Sequence, residues 1–302
     1  MPKDEWPKLG ILYDPVAKYS PSNQLAIDRF CMSAIKHGLL PVLLSKDDDI
    51  NERDYVGLLI RDTTHPGHYT YGWSVLATAI GIKVIDPPLA IQQGCNKIWQ
   101  AQVFAENHIS HPLTWKDRYF HYLHNNGKLI NVDNFKFPCV VKIPDSCFSQ
   151  GVFKCNNLDE YIKTLKEISK LNRSVEAYVI CQEFIETKYD WRITLFNNKF
   201  LFAVKYYMAD KDWKIIKYDR KGDYIEGNHE CVKFEDIPLH VLAEAEKCNK
   251  LLKEGLYGID IKEVDGKAYV IEINDNPSID GDIEDEIEGE RIYDTIIKWF
   301  KS

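Results

Sequence analysis

Apolar and polar positions alternate most clearly near the end of the chain. Ile259 and Ile261 alternate with Asp260 and Lys262, and Ile271 and Ile273 alternate with Glu272 and Asn274. Each segment reads as a strand with one greasy and one polar face. Asp265-Gly266 between them is a turn signal, so the pair reads as a β-hairpin. A two-residue loop of Asp265-Gly266 would pair Asp260 with Ile271 and split the isoleucines between faces. A three-residue loop, Val264-Asp265-Gly266 with Gly266 left-handed, pairs Glu263 with Lys267. It puts Asp260, Glu272 and Asn274 on one face and the four isoleucines on the other. A one-residue slip exchanges faces, so the pattern selects the three-residue loop.

Upstream, Leu9–Tyr13, Leu39–Leu44, Tyr55–Ile60 and Lys83–Ile85 read as short strands. Ser20-Pro21 reads as a helix start with Ser as cap, and Leu25, Ile27, Phe30, Ala34 and Ile35 as its apolar positions. A second helix is expected around Tyr71–Ile80. Alternating strands and helices predict a small parallel sheet with flanking helices. Asp86-Pro87-Pro88 breaks the chain and marks a boundary. Beyond it, Asn96–Asn107, Leu158–Leu171, Ile237–Glu254 and the stretch around Ile292, Ile296, Trp299 and Phe300 read as helices. Phe137–Lys142, Tyr178–Phe184, Trp191–Phe196 and Lys199–Tyr206 read as strands, with Asn197-Asn198 turning the last two. Asp145–Gly151 is a polar loop with one glycine, Asp212–Asn228 has no clear period, and Gly281–Glu290 is acidic.

The chain's 302 residues suffice for two or three units with a sizeable core. A net charge of −8 argues against a primary nucleic-acid binder, which needs a basic excess. Eight cysteines lie singly with no CxxC pair, so a zinc site is not expected. Met1–Trp6 is polar and short, and no apolar run nears the roughly 18 residues of a membrane helix. Reduced thiols in a cytoplasmic protein are the simplest reading.

The polar face of the hairpin carries the first chemistry. Asp260, Glu272 and Asn274 together form an all-oxygen set suited to a hard cation such as Mg²⁺. Mg²⁺ held by few protein ligands usually holds phosphates too, which points to ATP. A solvated polar face without metal is the alternative that the hairpin alone leaves open. No GxGxxG is present, and no serine or cysteine is arranged with a base for covalent catalysis.

Further motifs stand in a specific order. Asp86-Pro87-Pro88-Leu89-Ala90-Ile91 precedes Cys95-Asn96-Lys97, and Ile109–Thr114 contains Pro112. Pro138-Cys139-Val140-Val141-Lys142 follows, then Gln182-Glu183-Phe184-Ile185, Asp190-Trp191-Arg192 and the hairpin. With this order and spacing, the sequence from about Arg61 onward resembles the ATP-grasp ligases, and among them the RimK-like amino-acid ligases. The resemblance implies an α/β protein: an ATP-grasp fold of two α+β lobes, preceded by a small α/β N-terminal domain. The division expected is residues 1–93 and 94–302, with a lid-like central subdomain over about 112–184.

The same resemblance implies the roles. Lys97 and Lys142 would reach ATP phosphates from two sides, although either lysine taken alone reads as a surface charge. Glu183, Phe184 and Ile185 would form the hinge beside adenine, and Asp190 would lie near the ribose. Arg192 and Lys205 would neutralise charge on the transferring phosphoryl group. Asp260, Glu272 and Asn274 would hold Mg²⁺, with Mn²⁺ as an alternative. Two positions depart from the family pattern: the phosphate-covering loop is Ser146–Gly151 rather than glycine-rich, and Lys205 stands where relatives often have arginine.

The activity implied is ligation. A substrate carboxylate becomes an acyl-phosphate at the expense of ATP, and an amine then displaces phosphate to give an amide. The expected substrate is an amino acid or peptide, with glutamate as one candidate and a protein acceptor also open. A homo-oligomer is possible, and neither nucleic acid nor membrane is an expected partner. An ATP-grasp kinase and a non-catalytic nucleotide-binding regulator are the alternatives.

Overall fold

A computed structural model describes residues 5–17, 20–48, 50, 55–118, 136–144, 151–171, 178–218 and 224–302. The chain opens with β1 (Lys8–Leu12), α1 (Gln24–Lys36), β2 (Leu40–Leu44), β3 (Tyr55–Ile60), α2 (Tyr69–Ala79) and β4 (Lys83–Ile85). The strands form the expected parallel sheet, in the order β2-β1-β3-β4. Leu9, Ile11 and Leu59 enter one core, and Leu12, Leu58 and Ile60 enter another on the opposite face. A sheet covered on both faces requires such uninterrupted apolar runs.

Helix α1 begins later than Ser20-Pro21 suggested. Its cap is Asn23, whose side chain accepts the Ala26 N–H at 2.9 Å, while the Ser20 hydroxyl donates to the Ser22 carbonyl. The inward face is Ala26, Ile27, Phe30, Ser33 and Ala34, and Leu25 and Ile35 are exposed.

Helices α3 (Pro88–Gly94) and α4 (Lys97–Glu106) lead to a second, antiparallel sheet. Its strands are β5 (Thr114–Arg118), β6 (Cys139–Lys142), β7 (Val152–Cys155) and β8 (Tyr178–Glu183), in the order β5-β8-β6-β7. Helix α5 (Leu158–Leu171) packs Tyr161, Leu165 and Ile168 against Val141, Val179 and Cys181, giving this sheet its own core.

The third sheet contains β9 (Tyr189–Phe196) and β10 (Lys199–Tyr207). A short hairpin, β11 (Ile216–Tyr218) and β12 (Tyr224–Glu226), follows within the stretch that had no clear period. Then come β13 (His229–Val232), α6 (Leu239–Asn249), β14 (Leu256–Val264) and β15 (Lys267–Asp275), and the sheet order is β13-β10-β9-β14-β15. Helix α6 is shorter at both ends than the expected Ile237–Glu254.

The β14–β15 hairpin corrects the expected loop and keeps its consequence. Val264 pairs with Lys267, so the turn is the two-residue Asp265-Gly266, with φ of 51° and 70°. Both residues are left-handed, as a tight hairpin turn of right-handed twist requires. The register then shifts between Ile261 and Asp260: Ile261 faces Val270, and Asp260 faces Glu272. Ile271 is the extra residue of a β-bulge. Ile259, Ile261, Val270 and Ile273 are buried, and Ile271 is only half-buried, so Val270 takes the core position expected of Ile271.

The last helix, α7 (Glu290–Lys301), returns to the first sheet. Ile292, Ile296 and Phe300 join Ile27, Phe30 and Ala34 in one core, and Phe30 meets Tyr293 edge-on at 4.8 Å. Phe300 lies over β3 where Gly57 leaves it room. Replacing Phe300 with Ala should therefore cost about 3–5 kcal/mol of stability. Urea unfolding followed by circular dichroism checks this, with an unchanged slope and a lower midpoint as the expected result.

Candidate active site

Three neighbouring strands place one row of side chains across the central sheet. Arg192 on β9 faces Asp260 on β14, which faces Glu272 on β15. Arg192 forks the Asp260 carboxylate through Nε and Nη2, both at 2.7 Å. Asn274 Nδ2 donates to Asp260 Oδ2 at 3.0 Å, so Asp260, Glu272 and Asn274 do share one face. Gly258 keeps this row open, because a Cβ there would lie 2.9 Å from Pro277 and 3.1 Å from the Arg192 side chain.

Two lysines approach the row from other elements. Lys97, the first residue of α4, holds its Nζ 3.6 Å from Glu272 Oε2. Lys142, the last residue of β6, holds its Nζ 4.0 Å from the same oxygen, and its side chain is buried. Burial opposes ionisation of Glu272, yet Lys97, then Lys142 and Arg192, bring its carboxyl down to about 2. Burial, with Lys97 and Lys262 nearby, lowers the Lys142 ammonium to about 8. Glu272 is thus held as an anion among cations placed for a more highly charged guest.

Two cavities adjoin at this cluster. The narrower, about 130 Å³, is bordered by Lys142, the hinge segment Glu183-Phe184-Ile185, and Asp190. The larger, about 450 Å³, runs toward the N-terminal sheet and is bordered by Arg192, Asn274, Thr63 and Thr64. Lys97, Asp260 and Glu272 border both. The Glu183 and Phe184 N–H groups donate to the carbonyls of Leu113 and Pro138, tying the hinge to the second sheet. Asp190 takes Lys262 Nζ at 2.6 Å and the Thr187 hydroxyl at 3.0 Å.

Lys205 does not join the cluster, and its expected position is corrected. It pairs with Trp191, one residue off the Arg192 row, so its side chain points to the opposite sheet face. There it meets Glu230 at 3.2 Å and lies 5.0 Å from the Trp191 ring centroid. The β10 side chain beside Arg192 is Tyr206, whose ring centroid is 5.3 Å from the guanidinium carbon. The polar loop Asp145–Gly151 lies outside the described residues, apart from Gly151.

Several cleft residues escaped the sequence reading. Lys262 was legible, since it stands two positions from Asp260 on the polar face of the hairpin. Trp213 and Lys214 sit in a stretch without period and gave no signal, although Trp213 meets Phe184 edge-on at 5.7 Å. Ile271 reaches the narrow cavity because the bulge turns it there.

The donor chemistry fits a hard cation. Among the described residues no three Asp, Glu, His or Cys side chains converge for a metal, so the set is two carboxylates and an amide. Mg²⁺ is commonly held by one or two carboxylates with phosphate oxygens completing the shell. Asn274 would present its carbonyl oxygen in that case, a rotation of a side chain with equivalent ends.

Fold and site together define an ATP-grasp protein, and residues 94–299 match the RimK-like ATP-grasp domain. The chain belongs to that family. It is 26% identical over 240 residues to the coenzyme gamma-F420-2:alpha-L-glutamate ligase of Methanocaldococcus jannaschii, covering 77% of this chain and 76% of the relative. Its fold resembles the D-alanine–D-alanine ligase of Bacillus anthracis, solved in complex with ATP, with a TM-score of 0.69 and 19% identity. That likeness covers 97% of this chain and 96% of the other. A RimK domain ATP-grasp protein of Sphaerobacter thermophilus gives a TM-score of 0.69 at 14% identity, over 97% and 98% of the two chains. Among the described residues no helix is long and apolar enough to cross a membrane.

Behind the larger cavity, buried carboxyls set a pH dependence. Burial raises Asp86 to about 6. Burial, then Asp280, raises Glu284 to about 7. Both folded values exceed the unfolded ones, near 4. The folded state therefore holds more protons between those limits, and its stability falls as pH rises through about 6 and about 7. Urea midpoints should be higher at about pH 5.5 than at about pH 8, and Glu284→Gln should flatten the difference.

Proposed function

We propose that this protein is an ATP-dependent ligase that joins a carboxylate to an amine through an acyl-phosphate, releasing ADP and phosphate. The observation that carries the reading is the shared border: Lys97, Asp260 and Glu272 face both cavities. A nucleotide in the narrow slot and an acid in the larger cavity would meet at one cluster of cations and carboxylates. Family membership supports ATP as the nucleotide, and the named relatives are ligases.

A free carboxylate has no adequate leaving group, and phosphorylation supplies one. Little covalent work falls to the protein, which must position the reactants and neutralise phosphoryl charge. Lys97 and Lys142 would hold phosphates, and Arg192, braced by Asp260, would face the oxygens that gain charge. Asp260, Glu272 and Asn274 would hold Mg²⁺ or Mn²⁺, which disperses phosphate charge as a Lewis acid. Glu183–Ile185 and Asp190 would seat the adenosine. Lys205 has no part in this site.

The division at residues 93 and 94, with a lid-like subdomain over about 112–184, belongs to the same proposal. The separate core beneath α5 supports it. A small amino-acid or peptide substrate suits the larger cavity's volume. Cysteines held as thiols rather than disulfides among the described residues suit a cytoplasmic setting.

Product analysis separates the readings. A ligase releases ADP and phosphate only with both acid and amine present; a kinase needs one acceptor and frees no phosphate; a regulator turns nothing over. Glu272→Gln keeps one oxygen ligand and removes the charge, so it should chiefly abolish turnover. Lys142→Met keeps the apolar stem and loses a charged contact worth about 1.5–3 kcal/mol, so nucleotide affinity should fall about tenfold to hundredfold. Calorimetry of ATP binding beside ADP release, on variants checked for folding, reads both. Wild-type turnover in folded Glu272→Gln would remove Glu272 from the metal set.

A further inference from the structure

The Arg192–Asp260 pair is followed on the same sheet face by a second pair of reversed polarity. Asp260 on β14 faces Arg192 on β9, and Ile261 faces Trp191. Continuing that antiparallel register brings Lys262 opposite Asp190, so the acid now stands on β9 and the base on β14. Lys262 Nζ lies 2.6 Å from Asp190 Oδ1 and 2.8 Å from the Thr187 hydroxyl oxygen. That hydroxyl donates in turn to the same Asp190 oxygen, at 3.0 Å. Three side chains thus close a ring around Oδ1. Lys262 and Asp190 are 13% and 14% exposed, and both border the narrow cavity beside the hinge.

The ring fixes the carboxylate and uses only one of its oxygens. Both donors go to Oδ1, and neither goes to Oδ2. An ionised carboxylate only accepts hydrogen bonds, so its second oxygen is complemented by a donor such as a hydroxyl. A polyphosphate set against Lys262 would lie beside the Asp190 carboxylate and be repelled by it. The pair therefore suits the uncharged sugar of a nucleotide better than its phosphates. A carboxylate already held in one orientation gives up less freedom when a ligand arrives, which strengthens the contact it makes.

We propose that Lys262 is a positioning residue of the nucleotide site. With Thr187 it locks Asp190 so that Oδ2 accepts a ribose hydroxyl, and the site thereby prefers ribonucleotides to deoxyribonucleotides. This rests on the nucleotide reading of the narrow cavity and adds to it a sugar preference and the residue that sets it.

Calorimetry on the full chain tests it, with Mg²⁺ and ATP, 2′-deoxy-ATP or 3′-deoxy-ATP. The wild type should bind ATP at least about tenfold more tightly than one of the two analogues, as the loss of a hydrogen bond to a charged group implies, and that analogue identifies the hydroxyl. Lys262→Met keeps the apolar stem and frees Asp190 to turn. It should weaken ATP while leaving that analogue nearly unchanged, so that the preference falls below about threefold. Lys262→Arg keeps a cation and should retain most of the preference. Adding Lys262→Met to Asp190→Ala should lower the preference no further than Asp190→Ala alone, because a positioning residue acts through its partner. Thr187→Val should also reduce the preference, and decides alone where Lys262→Met fails to fold. Three outcomes overturn the inference: a wild type that binds all three nucleotides alike, a Lys262→Met variant that loses ATP and analogue equally, as a phosphate contact would, or a preference left intact in the variants. No ATP binding at all would overturn the nucleotide reading and this inference with it, whereas ATP binding without sugar preference overturns this inference alone.

Discussion

Asp260 can face Glu272 because β15 carries one more residue than β14 between the turn and the site. Asp265-Gly266 fixes a tight turn, and a tight turn alone would set Asp260 against Ile271. The bulge at Ile271 restores the pairing. Everything at the junction follows from that displaced register. Glu272 comes within reach of Lys97 and Lys142, Asn274 reaches Asp260, and Ile271 turns toward the narrow slot. Bulges recur beside active sites because they re-aim side chains without breaking the sheet.

Charge balance is the second constraint. Arg192, Lys97 and Lys142 face two carboxylates in a partly dry junction, leaving a cationic excess where phosphates would enter. Asp280 and Glu284, which also border the larger cavity, are balanced instead by the buried Arg61 behind them. Charges so arranged orient ligands as well as attract them.

Much of this was legible in the sequence, for identifiable reasons. Leu58-Leu59-Ile60 is apolar throughout because its strand is covered on both faces. The strands that went unseen, β5, β7 and β13, all lie at sheet edges, where one side is open and the apolar pattern is weak. Parity of the hairpin faces was readable, but the route was not: a bulge leaves no mark that separates it from a longer loop. Lys205 was misplaced by one residue because the strand around it, Ala203–Tyr207, offers two plausible inward faces. Tyr206 takes the inward place beside Arg192. The larger cavity brings Glu226 and Glu284 near Asp280, a convergence that no linear spacing announces.

The first sheet shares its core with α7, so residues near the beginning of the chain are completed by those at its end. Phe30, Ile27 and Ala34 pack on Ile292, Tyr293 and Ile296, and β3 lies beneath Phe300. During synthesis, that face of the nascent N-terminal sheet, packed on α1 alone, stays incompletely covered until α7 has left the ribosome. Its partner helix arrives from more than 200 positions away, and such long closures are slow to form. The interval before that helix docks is when a chaperone would have something to hold.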